Sequence, residues 1–88
     1  MINREITVMN EEGLRARRAA LFVQLANKFS SDIFVEKDTK NVNGKSIMCI
    51  MALGLLKSEK IVVTVDGPDE EQALEEIVNF FEKPQEDL

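Results

Sequence analysis

Histidine is absent from the 88-residue sequence, and cysteine occurs only once, at position 49. The chain therefore has neither the common zinc-ligand sets nor a histidine base nor a Cys–His dyad. A single cysteine cannot form an internal disulfide, and Cys49 lies in an apolar segment, where the expected role is that of a small hydrophobic filler. The sequence predicts no catalytic residue, no metal ligand and no cofactor.

Glycine is also scarce, and the four glycines are too scattered to form a phosphate-binding or dinucleotide-binding loop. The longest uncharged apolar run, residues 47–56, is too short to span a bilayer. Arg4 and Glu5 interrupt the N-terminus where a signal peptide would need an apolar stretch. We therefore expect a nonenzymatic protein of the cytoplasm, with no membrane segment, folded as a single domain over residues 1–88.

Charge is unevenly distributed along the chain, whose formal net charge is −5. Residues 1–28 carry five basic and three acidic side chains, whereas residues 66–88 carry nine acidic side chains and one lysine. The acidic end is typical of a solvated helix face. Because a net negative charge repels phosphates, the balance disfavours direct binding to nucleic acid.

Three arginines, Arg15, Arg17 and Arg18, stand at the predicted start of the first helix. Cations are unfavourable at this end of a helix because the macrodipole is already positive there. Two explanations stay open. The long side chains extend into solvent or meet Glu11 and Glu12, or they face an anionic partner.

Hydrophobic periodicity predicts seven elements in the order βαββαβα. Strands are expected at 2–9, 32–36, around 42 and at 61–65, and helices at 16–29, 47–53 and 69–82. In the first helix the predicted buried stripe consists of Ala16, Ala19, Ala20, Val23, Ala26 and Phe29. Four strands with helices on one face form a two-layer α+β sandwich whose other sheet face meets water.

Ser46 stands directly before seven uncharged residues and is the predicted N-cap of the middle helix. Its hydroxyl either only caps the helix or also accepts a phosphate, which the backbone N–H groups and the neighbouring Lys45 would stabilise. A short helix that is apolar nearly all round cannot bury every face in a small domain. Ile47, Met48 and Met51 are therefore expected to face solvent or a partner, although a place in the core stays open for Met51.

Three motifs together resemble the HPr family, the small phosphocarriers of the bacterial sugar phosphotransferase system, and within it the regulatory Crh type, the catabolite-repression HPr-like proteins. Residues 13–20 are similar to the phosphocarrier active-site motif, residues 45–48 to the regulatory serine motif, and residues 69–74 to the start of the last helix. The resemblance spans nearly the whole chain. It implies an HPr-like open-faced sandwich, with a four-stranded antiparallel sheet and three helices on one face.

The resemblance also implies a change of chemistry, because Arg15 replaces the family's phosphoryl-accepting histidine and Arg18 replaces the proline that follows it. A protonated guanidinium offers no lone pair, so we expect that enzyme I cannot charge this chain. Ser46 is retained. Its implied role is phosphorylation by HPr kinase/phosphorylase, followed by docking on catabolite control protein A as a corepressor in carbon catabolite repression.

The implied partner surface combines one group from the first helix with one group around Ser46. Its members are Arg15, Arg17, Ala20, Leu21, Gln24, Lys45, Ile47, Met48 and Met51. The fixed charges of Arg15 and Arg18 are expected to complement acidic groups on a partner. Two other functions stay open: a phosphocarrier-related protein that uses another group, and a protein-binding module without phosphorylation.

The hairpin turn bears on assembly. Thr39 stands where the family often has glycine, and a β-branched residue at a positive φ would be strained. Altered strain in a hairpin can favour strand exchange between molecules. Both a monomer and a homodimer stay open.

Overall fold

The computed structural model describes residues 1–9 and 16–82, and it has the predicted order βαββαβα. The elements are β1 (Ile2–Thr7), α1 (Ala16–Ala26), β2 (Asp32–Lys37), β3 (Lys40–Asn43), α2 (Ile47–Leu53), β4 (Lys60–Asp66) and α3 (Glu70–Glu82). Within these ranges no helix combines the length and the apolar character needed to cross a membrane.

The four strands form one sheet in the order β1-β4-β2-β3, and all neighbouring strands are antiparallel. On β2, Ile33 and Val35 are buried, while the residue between them and the residues on either side of the pair are exposed. The same alternation on β4 buries Ile61, Val63 and Val65. Because successive side chains of a strand point to opposite faces, the helices cover one side of the sheet and water meets the other. The predicted open-faced α+β sandwich is confirmed.

The buried face of α1 is rotated from the predicted stripe. Ala19, Phe22 and Ala26 are buried, whereas Ala16 is exposed, so the prediction for Ala16 is wrong. Phe22 is the largest fully buried side chain of the helix, and its ring centroid lies 5.3 Å from that of Phe81 in α3. The gap between two helices needs a large ring, and Phe22 rather than the small alanines sets the orientation of α1.

The β2–β3 hairpin closes with a two-residue turn, because Lys37 lies opposite Lys40. The positive φ, 56°, belongs to Asp38 and not to Thr39. Aspartate tolerates the left-handed region because its short polar side chain can bond to nearby backbone. The backbone strain expected at Thr39 is therefore absent. Hairpin strain thus gives no reason to expect strand exchange between molecules.

A hydrogen-bonded cluster fastens the start of α3 to the chain entering β2. The Asp69 carboxylate accepts hydrogen bonds from the backbone N–H groups of Ser30 and Ser31, both at 2.9 Å, and from the Ser31 hydroxyl. Ser31 is fully buried, and its hydroxyl oxygen accepts the Asp69 N–H at 3.2 Å. A Cβ at Gly67 would lie 2.6 Å from the Ser31 Cα, so the close approach requires glycine.

This cluster makes stability depend on pH. The hydrogen bonds from the Ser31 hydroxyl and from the Ser30 backbone hold the pKa of the Asp69 carboxyl below its ordinary value of 3.8. Since the folded-state pKa lies below the unfolded one, the stabilisation is present above about pH 4 and is lost as the pH falls through the folded-state pKa. We expect Asp69→Asn to lower the free energy of unfolding at neutral pH and to flatten its decline in acid, measured by urea unfolding at a series of pH values.

Glu71→Gln is the matched control, because it removes an exposed carboxylate from the same turn. The free energy of unfolding of this variant should decline in acid as steeply as that of the unmodified chain. An Asp69→Asn curve that runs parallel to the control curve would show that the cluster does not carry the pH dependence.

Candidate functional site

Ser46 is the N-cap of α2, as predicted. Its backbone is extended, with φ −109° and ψ 117°, and its Oγ accepts a hydrogen bond from the Cys49 N–H at 3.4 Å. At the other end Gly54 adopts the left-handed conformation, with φ 66°, and donates its N–H to the Met51 carbonyl. Ser46 itself is half-buried. Both ends of this seven-residue helix are thus fixed by local hydrogen bonds.

The apolar side chains of α2 divide between the core and the surface. Ile50 and Leu53 are buried, whereas Ile47, Met48 and Met51 are 39, 80 and 46% exposed. The last three residues are here called the α2 apolar surface. The structure thereby decides against a core position for Met51. A cluster of exposed large apolar side chains next to a polar hydroxyl is typical of a protein-binding surface.

Lys45 links the start of α2 to the end of α1. Its Nζ donates a hydrogen bond to the Phe29 carbonyl at 2.7 Å, and its own carbonyl accepts one from the Asn27 side-chain amide at 3.4 Å. The Lys45 N–H is bound to the Asn43 side-chain oxygen at 2.9 Å. The ammonium group is therefore directed to the turn that follows α1, near the C-terminal end of this helix, where a positive charge is favourable.

Gly44 sets the position of this segment on the sheet. It is buried, and its N–H donates a hydrogen bond to the Ile33 carbonyl at 2.7 Å. A Cβ at this position would lie 2.7 Å from the Ile33 Cγ2, too close for any other residue without a shift. The contact continues the β2–β3 hairpin by one position beyond the pair of Phe34 and Asn43, so it depends on the register of the hairpin.

The predicted α1 residues occupy more than one face of the helix. Leu21 and Gln24 line a groove between α1 and α3. Arg17 is exposed, while Ala20 is half-buried. Arg15 lies outside the described residues. Residues 17, 20 and 24 follow the i, i+3, i+7 spacing of one helix face, and Asn27, just beyond the end of α1, continues this spacing and bonds to Lys45. Gln24 therefore belongs both to this face and to the lining of the groove.

Arg18 packs against α3. Its guanidinium carbon lies 4.9 Å from the centre of the Phe80 ring, and the residue is half-buried. Phe80 in turn contacts Phe22 and Phe81. The side chain thus covers the aromatic cluster between α1 and α3, and the expected complementarity of its charge to a partner stays a prediction.

The family model described as the PTS HPr component phosphorylation site matches residues 2–83. The chain belongs to the HPr family. The HPr-like protein Crh of Halalkalibacterium halodurans is 47% identical over 83 residues, which make up 94% of this chain and 99% of that protein. The crystal structure of HPr-C-His from Thermoanaerobacter tengcongensis is 49% identical, covers all of both chains and gives a TM-score of 0.92.

A third relative shows a different assembly. The crystal structure of Crh from Bacillus subtilis, a dimer formed by swapping, is 41% identical and covers 99% of this chain and 100% of its own, with a TM-score of 0.77. Identity is thus similar for phosphocarriers and for Crh proteins. The chain is a Crh-like member of the family, a regulatory homologue of HPr, as the sequence motifs predicted.

The packing of Arg18 leads to a stability prediction. We expect Arg18→Ala to lower the free energy of unfolding by about 1 kcal/mol, because it removes the cation–π contact with Phe80 and the apolar stem that covers the ring. The exposed neighbour Arg17 serves as the control, and Arg17→Ala should change stability by less than about 0.5 kcal/mol. Equal effects in urea unfolding would contradict a packing role for Arg18.

The Lys45 contacts lead to a second prediction for the site. Lys45→Met keeps most of the side-chain volume but removes the charged donor to Phe29, so we expect a loss of about 1–2 kcal/mol in the free energy of unfolding. Lys60→Met, at an exposed position of β4, should change stability by less than about 0.5 kcal/mol. A Lys45→Met variant as stable as the Lys60→Met variant would mean that the link between α1 and α2 contributes nothing.

Proposed function

We propose that this chain is a nonenzymatic regulatory protein of the cytoplasm, a single domain over residues 1–88, switched by phosphorylation of Ser46. One observation carries the proposal: a chain whose residues 2–83 match an HPr phosphorylation-site model contains no histidine, whereas the regulatory serine motif around Ser46 is present. The absent imidazole removes the carrier's acceptor, and the hydroxyl that remains belongs to the regulatory site.

The proposed modifying enzyme is HPr kinase/phosphorylase. It would transfer the terminal phosphoryl group of ATP or pyrophosphate to the Ser46 Oγ: the bond between that phosphorus and the bridging oxygen of the donor breaks, ADP or phosphate leaves, and the hydroxyl proton is lost. The support is geometric: Ser46 is half-buried at the end of a helix whose caps are already in place, so the modification requires no refolding of α2. The new group adds about −1.5 to −2 charges and three strong acceptor oxygens.

The proposed partner of the phosphorylated form is catabolite control protein A, with this chain as its corepressor in carbon catabolite repression. The phosphate would stand beside the α2 apolar surface, so recognition would combine a charge-assisted contact with burial of Met48 and its neighbours. Methionine suits such contacts because its thioether is flexible. Arg17, Ala20, Leu21 and Gln24 of α1 complete the proposed surface.

Loss of carrier activity follows from the chemistry of residue 15. A neutral imidazole nitrogen can accept a phosphoryl group near neutral pH, whereas the arginine guanidinium stays protonated and has no free lone pair. Cys49 is the remaining nucleophile of a reactive type, and it is half-buried within α2. We therefore propose that enzyme I cannot use this chain as a phosphoryl acceptor.

The assembly state is proposed as a monomer in exchange with a homodimer. Its support is the swapped dimer of the Bacillus subtilis Crh, which matches this chain over nearly its full length.

The test of the proposed function uses two parallel reactions followed by intact-protein mass spectrometry. Incubation with HPr kinase/phosphorylase and ATP should add one phosphate, and incubation with enzyme I and phosphoenolpyruvate should add none. Ser46→Ala should abolish the first gain. The phosphorylated chain should bind catabolite control protein A at least tenfold more tightly than the unmodified chain in a titration, since charge-assisted contacts to a phosphate contribute more than 1 kcal/mol.

The apolar half of the site has its own matched pair of variants. Met48→Ser should weaken binding of the phosphorylated chain severalfold, because the side chain is 80% exposed and is available for a partner to bury. Leu56→Ser removes another exposed apolar side chain, beyond the C-cap of α2 and outside the α2 apolar surface, and should leave binding unchanged. Phosphate gain with enzyme I, or equal binding of the two forms, would refute the proposed function.

A further inference from the structure

The β1 strand forms an open edge of the sheet, because β4 is its one partner strand among the described residues. Both backbone groups of Val8 point towards β4: its N–H donates to the Glu59 carbonyl, and its carbonyl accepts the Ser58 N–H. Since the pointing direction alternates along a strand, the even-numbered residues of β1 bond to β4. The N–H and C=O groups of Asn3, Glu5 and Thr7 therefore point to the outer edge.

The outer edge ends at Met9. Its N–H points away from β4 and donates a hydrogen bond to the Phe81 carbonyl at the end of α3, at 2.9 Å. This bond fits the same alternation, since Met9 is odd-numbered. α3 thus closes one end of the edge and leaves the groups of residues 3, 5 and 7 without a described strand beside them. Such a row of backbone groups is a template for an additional strand.

A groove runs along this edge between β1 and α3. Its apolar floor consists of half-buried Ile2, Leu74 and Val78. Carboxylates dominate its polar rim, where Glu71, Glu75 and Glu82 of α3 outnumber Arg4 of β1. Glu5 adds a further carboxylate on the open face of the sheet beside the same edge.

We propose that the β1 edge binds an extended, basic segment of a partner protein, which adds to the sheet as a fifth strand. Backbone hydrogen bonds to residues 3, 5 and 7 supply affinity. Successive side chains of an added strand point to opposite faces of the sheet, so one set enters the groove, where a lysine or arginine lays its stem on the apolar floor and its charge against the rim, and the other set lies on the open face beside Glu5. The excess of carboxylates over Arg4 selects lysine or arginine in the partner.

A second copy of this chain is a poor occupant of the same edge. Two β1 strands paired about a two-fold axis would bring the acidic rims of both copies together, and like charges across an interface are unfavourable. The rim therefore acts against self-pairing while it favours a basic strand, which is how charge gives specificity to an exposed edge.

The β1 edge is separate from the Ser46 site. α3 packs on β1 at one edge of the sheet, whereas α2 packs on β3 at the opposite edge. One partner can therefore bind at the β1 edge while another occupies the α2 apolar surface. The inference does not rest on the proposed function, and either can fail without the other.

The test uses a peptide whose residues alternate between lysine and valine, acetylated and amidated at its ends, titrated into the isotopically labelled full chain at low salt. Amide hydrogen exchange is measured by NMR. We expect at least threefold slower exchange at the amides of Asn3, Glu5 and Thr7 and little change at Arg4 and Ile6, whose amides already point towards β4. Two control peptides are N-methylated, one at every valine and the other at every lysine. Since the backbone donors that face β1 come from one of these two alternating sets, one of the two control peptides should not give this protection.

Charge variants test the rim. Glu71→Gln with Glu75→Gln should weaken peptide binding about three- to tenfold, as expected for two partly exposed ion pairs. Glu36→Gln with Asp38→Asn removes two exposed carboxylates from β2 and its turn and should leave affinity unchanged. Exchange that is already slow at residues 3, 5 and 7 in the free chain, undiminished binding of both N-methylated peptides, or equal loss in both double variants would overturn the proposal.

Discussion

The inner face of the sheet is the one apolar surface on which the protein can build a core, and its width limits what each helix can bury. Ile33 and Val35 on β2, with the alternating residues of β4, form its centre. In a two-layer sandwich a helix contacts the sheet along a single stripe. α2 has seven residues, so its stripe contains only Ile50 and Leu53. Ile47, Met48 and Met51 of this helix are exposed because the architecture leaves no second layer to cover them.

Much of the fold could be predicted because the decisive signals are local. The alternation of β4, the serine before α2 and the glycine after it each specify a conformation over a few residues. The orientation of α1 could not be predicted in the same way, since Ala19 and Ala20 fit a helical stripe equally well. The face that α1 buries depends on the contact between Phe22 and Phe81 of α3, two residues that lie far apart in the sequence.

The candidate site likewise contains some features that local sequence patterns predict and others that depend on contacts between distant residues. The cap at Ser46 and the outward position of Met48 follow from spacing within one helix. The hydrogen bond from Lys45 to Phe29, which holds the start of α2 against the segment after α1, joins residues that are 16 positions apart and is not visible in a local pattern. Arg18 shows the limit of reasoning from charge alone, because its guanidinium packs on an aromatic ring that the linear sequence places 62 positions away.

The separation of scaffold from chemistry explains how a family member can lose its histidine and keep its fold. The described contacts around the Ser46 segment come from Asn27 and Phe29, which bond to Lys45, and from Ile33 of β2, which bonds to Gly44. None of these groups is an imidazole, so the described supports of the serine site are present in a chain without histidine. The acidic charge of the chain is likewise concentrated on α3, which packs on the β1 edge of the sheet rather than on the β3 edge beside α2. The two edges thus present surfaces of different chemistry, so this small sandwich can discriminate between partners by charge as well as by shape.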